Sequence, residues 1–219
     1  MAQSDSGRSF FATKPEIDRL LDKLAAELAG KLDSSHRSMM LIGPSRCGKS
    51  LLADRLAQRY GLHVLRTDHL RRKLYKDAHW RDRVRVVKYF YKRLLLMFPQ
   101  GLLIEGDQFI GRKENFGAWA ARNGVAFIGI GYSFDRPEDK LADLIAYQQT
   151  GRCWLVESGS TEEVTAFVHK IIDWSRHVKW RCKYLKLPYF DLDSADFDAE
   201  LERIMGEIAA FYPEGVTNY

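Results

Sequence analysis

The residue types and spacing best suited to chemistry lie in one short run, Gly43-Pro-Ser-Arg-Cys-Gly-Lys-Ser50. Its two glycines allow a tight loop whose backbone N–H groups face phosphate oxygens, and the helix expected after it adds a favourable dipole. Lys49 would reach the terminal phosphates, and the Ser50 hydroxyl would ligate Mg²⁺, which prefers oxygen ligands. The run therefore predicts a phosphate-binding P-loop. The predicted nucleotide-binding residues are Gly43, Ser45, Arg46, Cys47, Gly48, Lys49, Ser50 and Leu51.

Short apolar runs that alternate with helical periodicity provide the elements that must position this loop. Strands are predicted at 39–42, 62–65, 101–106, 125–131 and 187–191, each bounded by polar or glycine-containing segments. Helices are predicted at 15–31 and, after the P-loop, at 51–58. A basic helical region follows Asp68, is interrupted around Asp77 and reaches Phe98, and further helices are predicted at 114–122, 136–149, 160–183 and 194–211. Because parallel strands need crossover connections, this order predicts an α/β protein, a three-layer α/β/α sandwich with a five-stranded parallel sheet.

Length and composition limit the class of protein. The chain has 219 residues, of which 46% are hydrophobic, enough for one well-formed core. We therefore expect a single domain over residues 1–219 with a flexible segment at 1–14. The absence of a long apolar run and of a signal-peptide pattern predicts a cytoplasmic protein without membrane contact. The three cysteines lack paired spacing, so neither a disulfide framework nor a zinc site is expected.

A carboxylate follows the second predicted strand, at the edge of the sheet where ligands gather. Asp68 lies 19 residues beyond Lys49, a distance that one helix and one strand bridge back to the phosphate site. There it could orient an acceptor hydroxyl and take its proton, while Arg71 could hold the acceptor or neutralise developing charge. Helix capping is the alternative role for Asp68.

A second carboxylate, Glu105, ends the apolar third strand. A buried carboxylate is costly without partners, so we expect Glu105 either to contact Mg²⁺ or the acceptor, or to make a structural hydrogen bond. Asp107 is the nearest carboxylate that could take the role of Glu105 instead. Ser50 and Glu105 are the predicted metal ligands, Glu105 through the family resemblance described next.

Three segments together resemble the P-loop small-molecule kinases, the group that contains shikimate, gluconate and nucleoside kinases. They are residues 43–50, Thr67-Asp68-His-Leu-Arg71 and Leu103-Ile-Glu-Gly106. The resemblance spans most of residues 38–211. It implies ATP as the phosphoryl donor, an acceptor-binding flap at 69–98 and a lid loop at 150–160.

The same resemblance implies a lid arginine that stabilises the transition state, and Arg152 is the candidate inside the lid loop. No paired-arginine motif stands there, so Arg136, Arg176 and Arg181 compete for this role. The resemblance also implies that adenine rests against the segment 191–195. Ordinary helix capping by Asp193 or Ser194 is the alternative for that segment.

Positive charge and aromatic residues are concentrated in the predicted flap. Residues 71–93 contain ten Lys or Arg against two Asp, within a chain of net charge +5. This excess predicts a polar and anionic acceptor, although solvated helix faces have a similar composition. Base stacking on the interleaved aromatics is an alternative to core packing, which explains them more simply. A second aromatic cluster is also expected to be packing: Trp174, Trp180, Tyr184, Tyr189 and Phe190.

The sequence thus predicts an ATP- and Mg²⁺-dependent phosphotransferase that acts on a hydroxyl of a small molecule, such as a nucleoside or another polar metabolite. Its predicted catalytic residues are Lys49, Asp68 and Arg152, and its predicted acceptor-binding residues are Asp68, Arg71 and Glu105. A 5′-hydroxyl polynucleotide kinase is one alternative, which would bind nucleic acid. A nucleotide-controlled binding module without catalysis is the other.

Overall fold

The structure is a computed structural model that describes residues 14–32, 35–68, 80–107, 116–132, 136–150, 159–192 and 196–212. These ranges contain five strands and seven helices. The strands are β1 (Met39–Ile42), β2 (His63–Arg66), β3 (Leu102–Gly106), β4 (Ala126–Gly131) and β5 (Tyr189–Asp191). The helices are α1 (Lys14–Ala29), α2 (Lys49–Tyr60), α3 (Trp80–Met97), α4 (Phe116–Arg122), α5 (Pro137–Thr150), α6 (Thr161–Leu185) and α7 (Phe197–Phe211).

The five strands form one parallel sheet in the order β2-β3-β1-β4-β5. The strand that precedes the P-loop lies at its centre, with β3 on one side and β4 on the other. Met39 to Ile42 are all buried, as expected for a central parallel strand covered on both faces. This central position brings the P-loop and the ends of β2, β3 and β4 to the same edge of the sheet.

Helices cover both faces of the sheet, because alternate side chains of each strand point to opposite faces. Met40 and Ile42 pack with residues of α1, α3, α4 and α6 in one core cluster. Met39 and Leu41 pack with α2 and α7 in the other. The helix α5 packs on α6 through a small third cluster around Leu144. The described residues therefore form the three-layer α/β/α sandwich that the sequence predicts.

The start of α6 shows how sequence signals set an element boundary. Ser160 accepts a hydrogen bond from the Glu163 backbone N–H at 3.3 Å, and the Ser160 N–H donates to the Glu163 carboxylate at 2.8 Å. This reciprocal capping box satisfies two backbone donors at the helix end. The predicted start at 160 is thus confirmed to within one residue.

No helix within the described ranges is long and apolar enough to cross a membrane.

Candidate functional site

The P-loop connects β1 to α2 through a tight, partly left-handed backbone. Arg46 has a φ of 63° and Gly48 a φ of 74°, and both neighbours of Gly48 have negative φ. Such alternation creates concave arrangements of backbone N–H groups that bind anions. The Gly43 N–H donates to the Gly106 carbonyl at 3.3 Å, and the Leu52 N–H donates to the Gly48 carbonyl at 3.0 Å. The loop is therefore held at one end by β3 and at the other by the first turn of α2.

Lys49 is the first residue of α2 and is largely buried beneath the loop. Its Nζ donates to the Pro44 carbonyl at 2.6 Å, so the ammonium group lies across the phosphate-binding loop. Cys47 is fully buried beside it, and burial raises the pKa of its thiol despite the opposing positive charge of Lys49. Cys47 is consequently a packing residue with a protonated thiol.

Ser50, Glu105 and Arg66 form a connected polar group next to Lys49. The Ser50 hydroxyl donates to the Glu105 Oε2 atom at 3.1 Å, and Arg66 Nε lies 3.4 Å from the same oxygen. Arg66 also pairs with Asp54 at 2.6 Å. Glu105 is buried, and these contacts supply the partners that a buried carboxylate needs. The predicted pair of metal ligands is thus brought into contact.

These oxygens suit Mg²⁺ chemically, since a hydroxyl and a carboxylate are hard donors and 3.1 Å is close enough to serve one ion. Among the described residues, no group of three or more His, Cys, Asp and Glu could hold a metal ion by itself. A Mg²⁺ ion bound by Ser50 and Glu105 would therefore take its other ligands from nucleotide phosphates and water, as Mg²⁺ commonly does.

A small cavity of about 160 Å³ opens on the β2 and β3 side of Lys49. Asp68 lines it from the end of β2, together with Thr67, Glu105 and Asp107. Asp68 is exposed. The pKa of Tyr91 on α3 is raised first by burial of its hydroxyl and second by the negative charge of Asp68. The structure thus brings Asp68, Lys49 and Glu105 together around one space, as the sequence predicts.

A larger cavity of about 420 Å³ lies on the other side of the P-loop and also contacts Lys49 and Ser50. Its walls are rich in aromatic and apolar side chains. The lining residues are Arg46, Gly48, Lys49, Ser50, Leu51, Tyr132, Lys140, Asp143, Leu144, Ala146, Tyr147 and Phe197. Lys49 and Ser50 consequently stand between two separate cavities.

Lys140 adds a second buried cation to this larger cavity. Only 4% of the residue is exposed, and its Nζ lies 3.4 Å from the centroid of the Tyr132 ring. The face of an aromatic ring attracts a cation, which stabilises the ammonium group where water is scarce. Asp143 lies one helical turn further, and its Oδ2 atom is shielded from solvent with no hydrogen-bond partner among the described residues. The cavity therefore presents a cation and a carboxylate acceptor.

The candidate arginines for the lid are placed differently. Arg152 and Arg71 lie outside the described residues. Arg136 is exposed and pairs with Asp139 at 2.8 Å, while Arg176 is exposed and pairs with Asp173 at 3.4 Å. Arg181 is buried on α6, and none of Arg136, Arg176 and Arg181 lines either cavity.

Aromatic residues of the predicted flap are used for packing where the structure describes them. Phe90 and Tyr91 are buried in the core, which confirms core packing rather than base stacking for these two. The expectation is wrong for part of the second cluster. Phe190 is buried, but Trp180 is 56% and Tyr184 is 68% exposed, because the buried stripe of α6 runs through other residues such as Val178 and Cys182.

The segment before α7 requires a correction to the predicted cap. The N-cap is Asp196, whose carboxylate accepts from the Ala199 N–H at 3.1 Å; α7 therefore begins later than expected from Asp193 or Ser194. Phe197, the first helical residue, lines the larger cavity. Residues 193–195 lie outside the described residues, and the role of the segment 191–195 in adenine binding stays a prediction.

Two charged residues of the site were missed in the sequence. Arg66 is the last residue of β2, so its position at the strand's carboxyl end was a usable signal. Lys140 lies four residues before the buried Leu144, on the inward face of α5. A lysine at an apolar position of a helix could have marked it.

Comparisons with known proteins support the fold. No protein-family model matches the chain, and no curated protein sequence matches it. Among solved structures, shikimate kinase from Bacteroides thetaiotaomicron has a TM-score of 0.53 and 12% identity, covering 78% of this chain and 98% of its own. Shikimate kinase from Acinetobacter baumannii in complex with shikimate has a TM-score of 0.51 and 15% identity, covering 86% of this chain and 99% of its own.

A structure of the PezAT chromosomal toxin–antitoxin system of Streptococcus pneumoniae is also similar, with a TM-score of 0.55 and 15% identity. The alignment of the two structures covers 85% of this chain and 80% of the other chain. The chain therefore has the α/β fold of the P-loop small-molecule kinases. Because the identities are low, this similarity establishes the fold, and the activity has to be argued from the residues of the site.

Proposed function

We propose that the protein is an ATP- and Mg²⁺-dependent phosphotransferase that moves the γ-phosphoryl group to a hydroxyl of a small polar molecule. The observation that carries this proposal is the position of Lys49 and Ser50 between two cavities. Phosphoryl transfer requires a donor and an acceptor on opposite sides of one phosphate-binding group, so that attacking and leaving oxygens are roughly in line. A protein that only bound a nucleotide would need one cavity.

The larger cavity suits the nucleotide. Tyr132, Tyr147 and Phe197 offer apolar surface to a base, and Lys140 and Lys49 offer positive charge to its phosphates. The Oδ2 atom of Asp143 could accept a hydrogen bond from a ribose hydroxyl or a base amino group. We propose Lys140 as a phosphate-binding cation, in addition to Arg152 as the proposed lid residue.

The smaller cavity suits the acceptor. Its volume of about 160 Å³ gives room for a small polar molecule. Asp68 would accept the proton of the acceptor hydroxyl while the new bond from its oxygen to the γ-phosphorus forms. The bond between this phosphorus and the oxygen that bridges to the β-phosphate then breaks, and ADP leaves with that electron pair. Arg66 and Arg71 are the proposed groups that hold the acceptor.

Ser50 and Glu105 would hold Mg²⁺, which neutralises charge on the β- and γ-phosphates when bound. Lys49 would exchange its hydrogen bond with the Pro44 carbonyl for contacts with the terminal phosphates. Ser50 and Glu105 are already joined by a hydrogen bond, and Lys49 is already buried beside them, so little reorganisation is needed once the nucleotide is bound.

The proposal is tested by incubating the purified protein with Mg²⁺ and ATP labelled at the γ-phosphate, together with pools of hydroxyl acceptors. The pools contain nucleosides, sugars, phosphorylated metabolites and hydroxylated ring acids, including shikimate because two similar structures are shikimate kinases. We expect label to move into one acceptor. Lys49→Ala should abolish the transfer, whereas Lys31→Ala, an exposed lysine after α1, should leave it unchanged.

A second variant separates catalysis from binding. Asp68→Asn keeps the size of the side chain but removes its ability to take a proton, so turnover should fall by about 100-fold or more while ATP binding persists. Asp22→Asn, an exposed position on α1, is the matched control. Nucleotide binding without label transfer to any pool would contradict the proposal and favour a nucleotide-controlled binding module.

A further inference from the structure

One face of α6 carries a column of aromatic rings that neither cavity uses. This aromatic face consists of Trp174, His177, Trp180 and Tyr184. Trp174 stacks on His177 with ring centroids 5.1 Å apart, and Trp180 stacks on Tyr184 at 5.8 Å. His177 and Trp180 connect the two pairs at 6.1 Å. The four rings therefore form a continuous column along three turns of the helix.

The outer part of this column is open to solvent. Trp180 is 56% and Tyr184 is 68% exposed, while Val178 and Cys182 on the opposite side are buried against the sheet. None of the four rings lines the two cavities beside the P-loop. The aromatic face is consequently a separate surface, and its two outer rings contribute contact area that the core does not require.

The same stretch of helix is strongly basic. Residues 174–186 contain five Lys or Arg and no Asp or Glu. The Arg181 guanidinium lies 5.7 Å from the Trp180 ring centroid and 5.6 Å from that of Tyr184, so positive charge borders the column directly. Exposed Arg176 and Lys183 flank it, and Arg176 also contacts the exposed Asp173 at 3.4 Å. A ligand of this surface should therefore combine flat apolar rings with negative charge.

We propose that the aromatic face of α6 binds single-stranded nucleic acid. Unpaired bases would continue the column of stacked rings at Trp180 and Tyr184, and the phosphates would contact the flanking cations, which is how proteins bind single strands without sequence preference. Charge complementarity favours this occupant over a second copy of the chain, because a two-fold contact would bring two basic surfaces together. The proposal does not rest on the phosphotransferase activity.

The test is fluorescence anisotropy of a labelled oligothymidylate of about 20 nucleotides, long enough to span several binding positions. The wild-type protein should bind it at low salt. Trp180→Ala/Tyr184→Ala should weaken binding by about tenfold or more, since each stacked base contributes at least about fivefold. Leu96→Ala/Met97→Ala removes two exposed apolar side chains from α3 and should leave binding unchanged. Because all four residues are exposed, circular dichroism should show folded variants.

Salt dependence tests the proposed phosphate contacts. Replacing Arg176 and Lys183 by Gln should reduce the slope of log K against log salt by about 0.7 for each phosphate that the protein no longer neutralises. Lys23→Gln/Lys31→Gln, at exposed positions in and after α1, is the charge-matched control and should leave the slope unchanged.

Several outcomes would overturn the proposal. The proposal fails if the oligonucleotide does not bind at low salt, or if Trp180→Ala/Tyr184→Ala leaves binding intact. It also fails if Lys49→Ala or excess ATP removes binding, because the oligonucleotide would then lie at the P-loop. Binding to anionic lipid vesicles without binding to the oligonucleotide would identify a membrane surface instead. Self-association that disappears in the aromatic double variant, without oligonucleotide binding, would identify a contact between copies of the chain.

Discussion

Gly48 gives the sharpest structural prediction, because two features of its position exclude a side chain. Its φ of 74° lies in the left-handed region, and a Cβ atom there would lie 2.4 Å from Phe197 Cζ. Gly48→Ala therefore strains the P-loop backbone and also pushes on a wall of the larger cavity. We expect the variant to fold but to be less stable and to bind nucleotide more weakly.

The expected loss of stability in Gly48→Ala is the sum of the backbone strain and the contact with Phe197. A left-handed backbone costs a residue with a Cβ about 1–2 kcal/mol relative to glycine. The Phe197 ring must move about 1 Å to restore ordinary van der Waals contact, which adds about 1–2 kcal/mol of overpacking. Urea denaturation should therefore show a decrease of about 2–4 kcal/mol in the free energy of unfolding.

Gly124 provides a matched control for the backbone term. Its φ is 68°, but a Cβ atom added there would meet nothing within 4 Å. Gly124→Ala should therefore cost only the left-handed strain of about 1–2 kcal/mol. Combining Gly48→Ala with Phe197→Ala should recover the overpacking term, giving a coupling energy of about 1–2 kcal/mol in a double-mutant cycle.

Equal decreases for Gly48→Ala and Gly124→Ala, together with no coupling to Phe197→Ala, would refute this reasoning. Such a result would mean that Phe197 does not pack against the P-loop in solution. Phe197 could then no longer be assigned to the wall of the nucleotide site.

Two further predictions test groups beside the P-loop, and a third tests the buried Cys182 thiol on α6. Glu105→Gln should lower Mg²⁺-dependent ATP affinity about tenfold in calorimetric titrations, because a metal ligand is removed, while binding without Mg²⁺ persists. Lys140→Gln should weaken ATP binding about tenfold and adenosine binding little, since the proposed contact is to phosphate. Burial raises the pKa of Cys182 to about 12, so its stabilising contribution is fully present below about pH 9 and is lost as the pH rises toward 12. Denaturation between pH 9 and pH 12 should show a decline in stability that is smaller in Cys182→Ala.

Much of the fold could be predicted because its local signals agree. The central strands are continuous apolar runs, and the P-loop glycines and the Ser160 capping box mark helix starts. The ends of β2 and β3 then bring Asp68 and Glu105 beside Ser50, as the parallel topology requires. These placements depend on spacing along the chain, which sequence conveys directly.

Other features depend on packing that spacing does not convey. The ammonium group of the buried Lys140 lies over the ring face of Tyr132, which directly follows β4. On α6, both the buried stripe through Val178 and the exposed rings of Trp180 and Tyr184 have helical spacing. Periodicity identifies both stripes, but only the position of the sheet decides which one is covered.

A crystal structure with Mg²⁺ and a non-hydrolysable ATP analogue tests the central claim most directly. The proposed function predicts the base in the larger cavity against Phe197, the triphosphate along the P-loop, and the γ-phosphate beside Lys49, facing Asp68 across the smaller cavity. A terminal phosphate directed away from Asp68, or a nucleotide whose base lies outside the larger cavity, would contradict the account of these cavities as donor and acceptor sites.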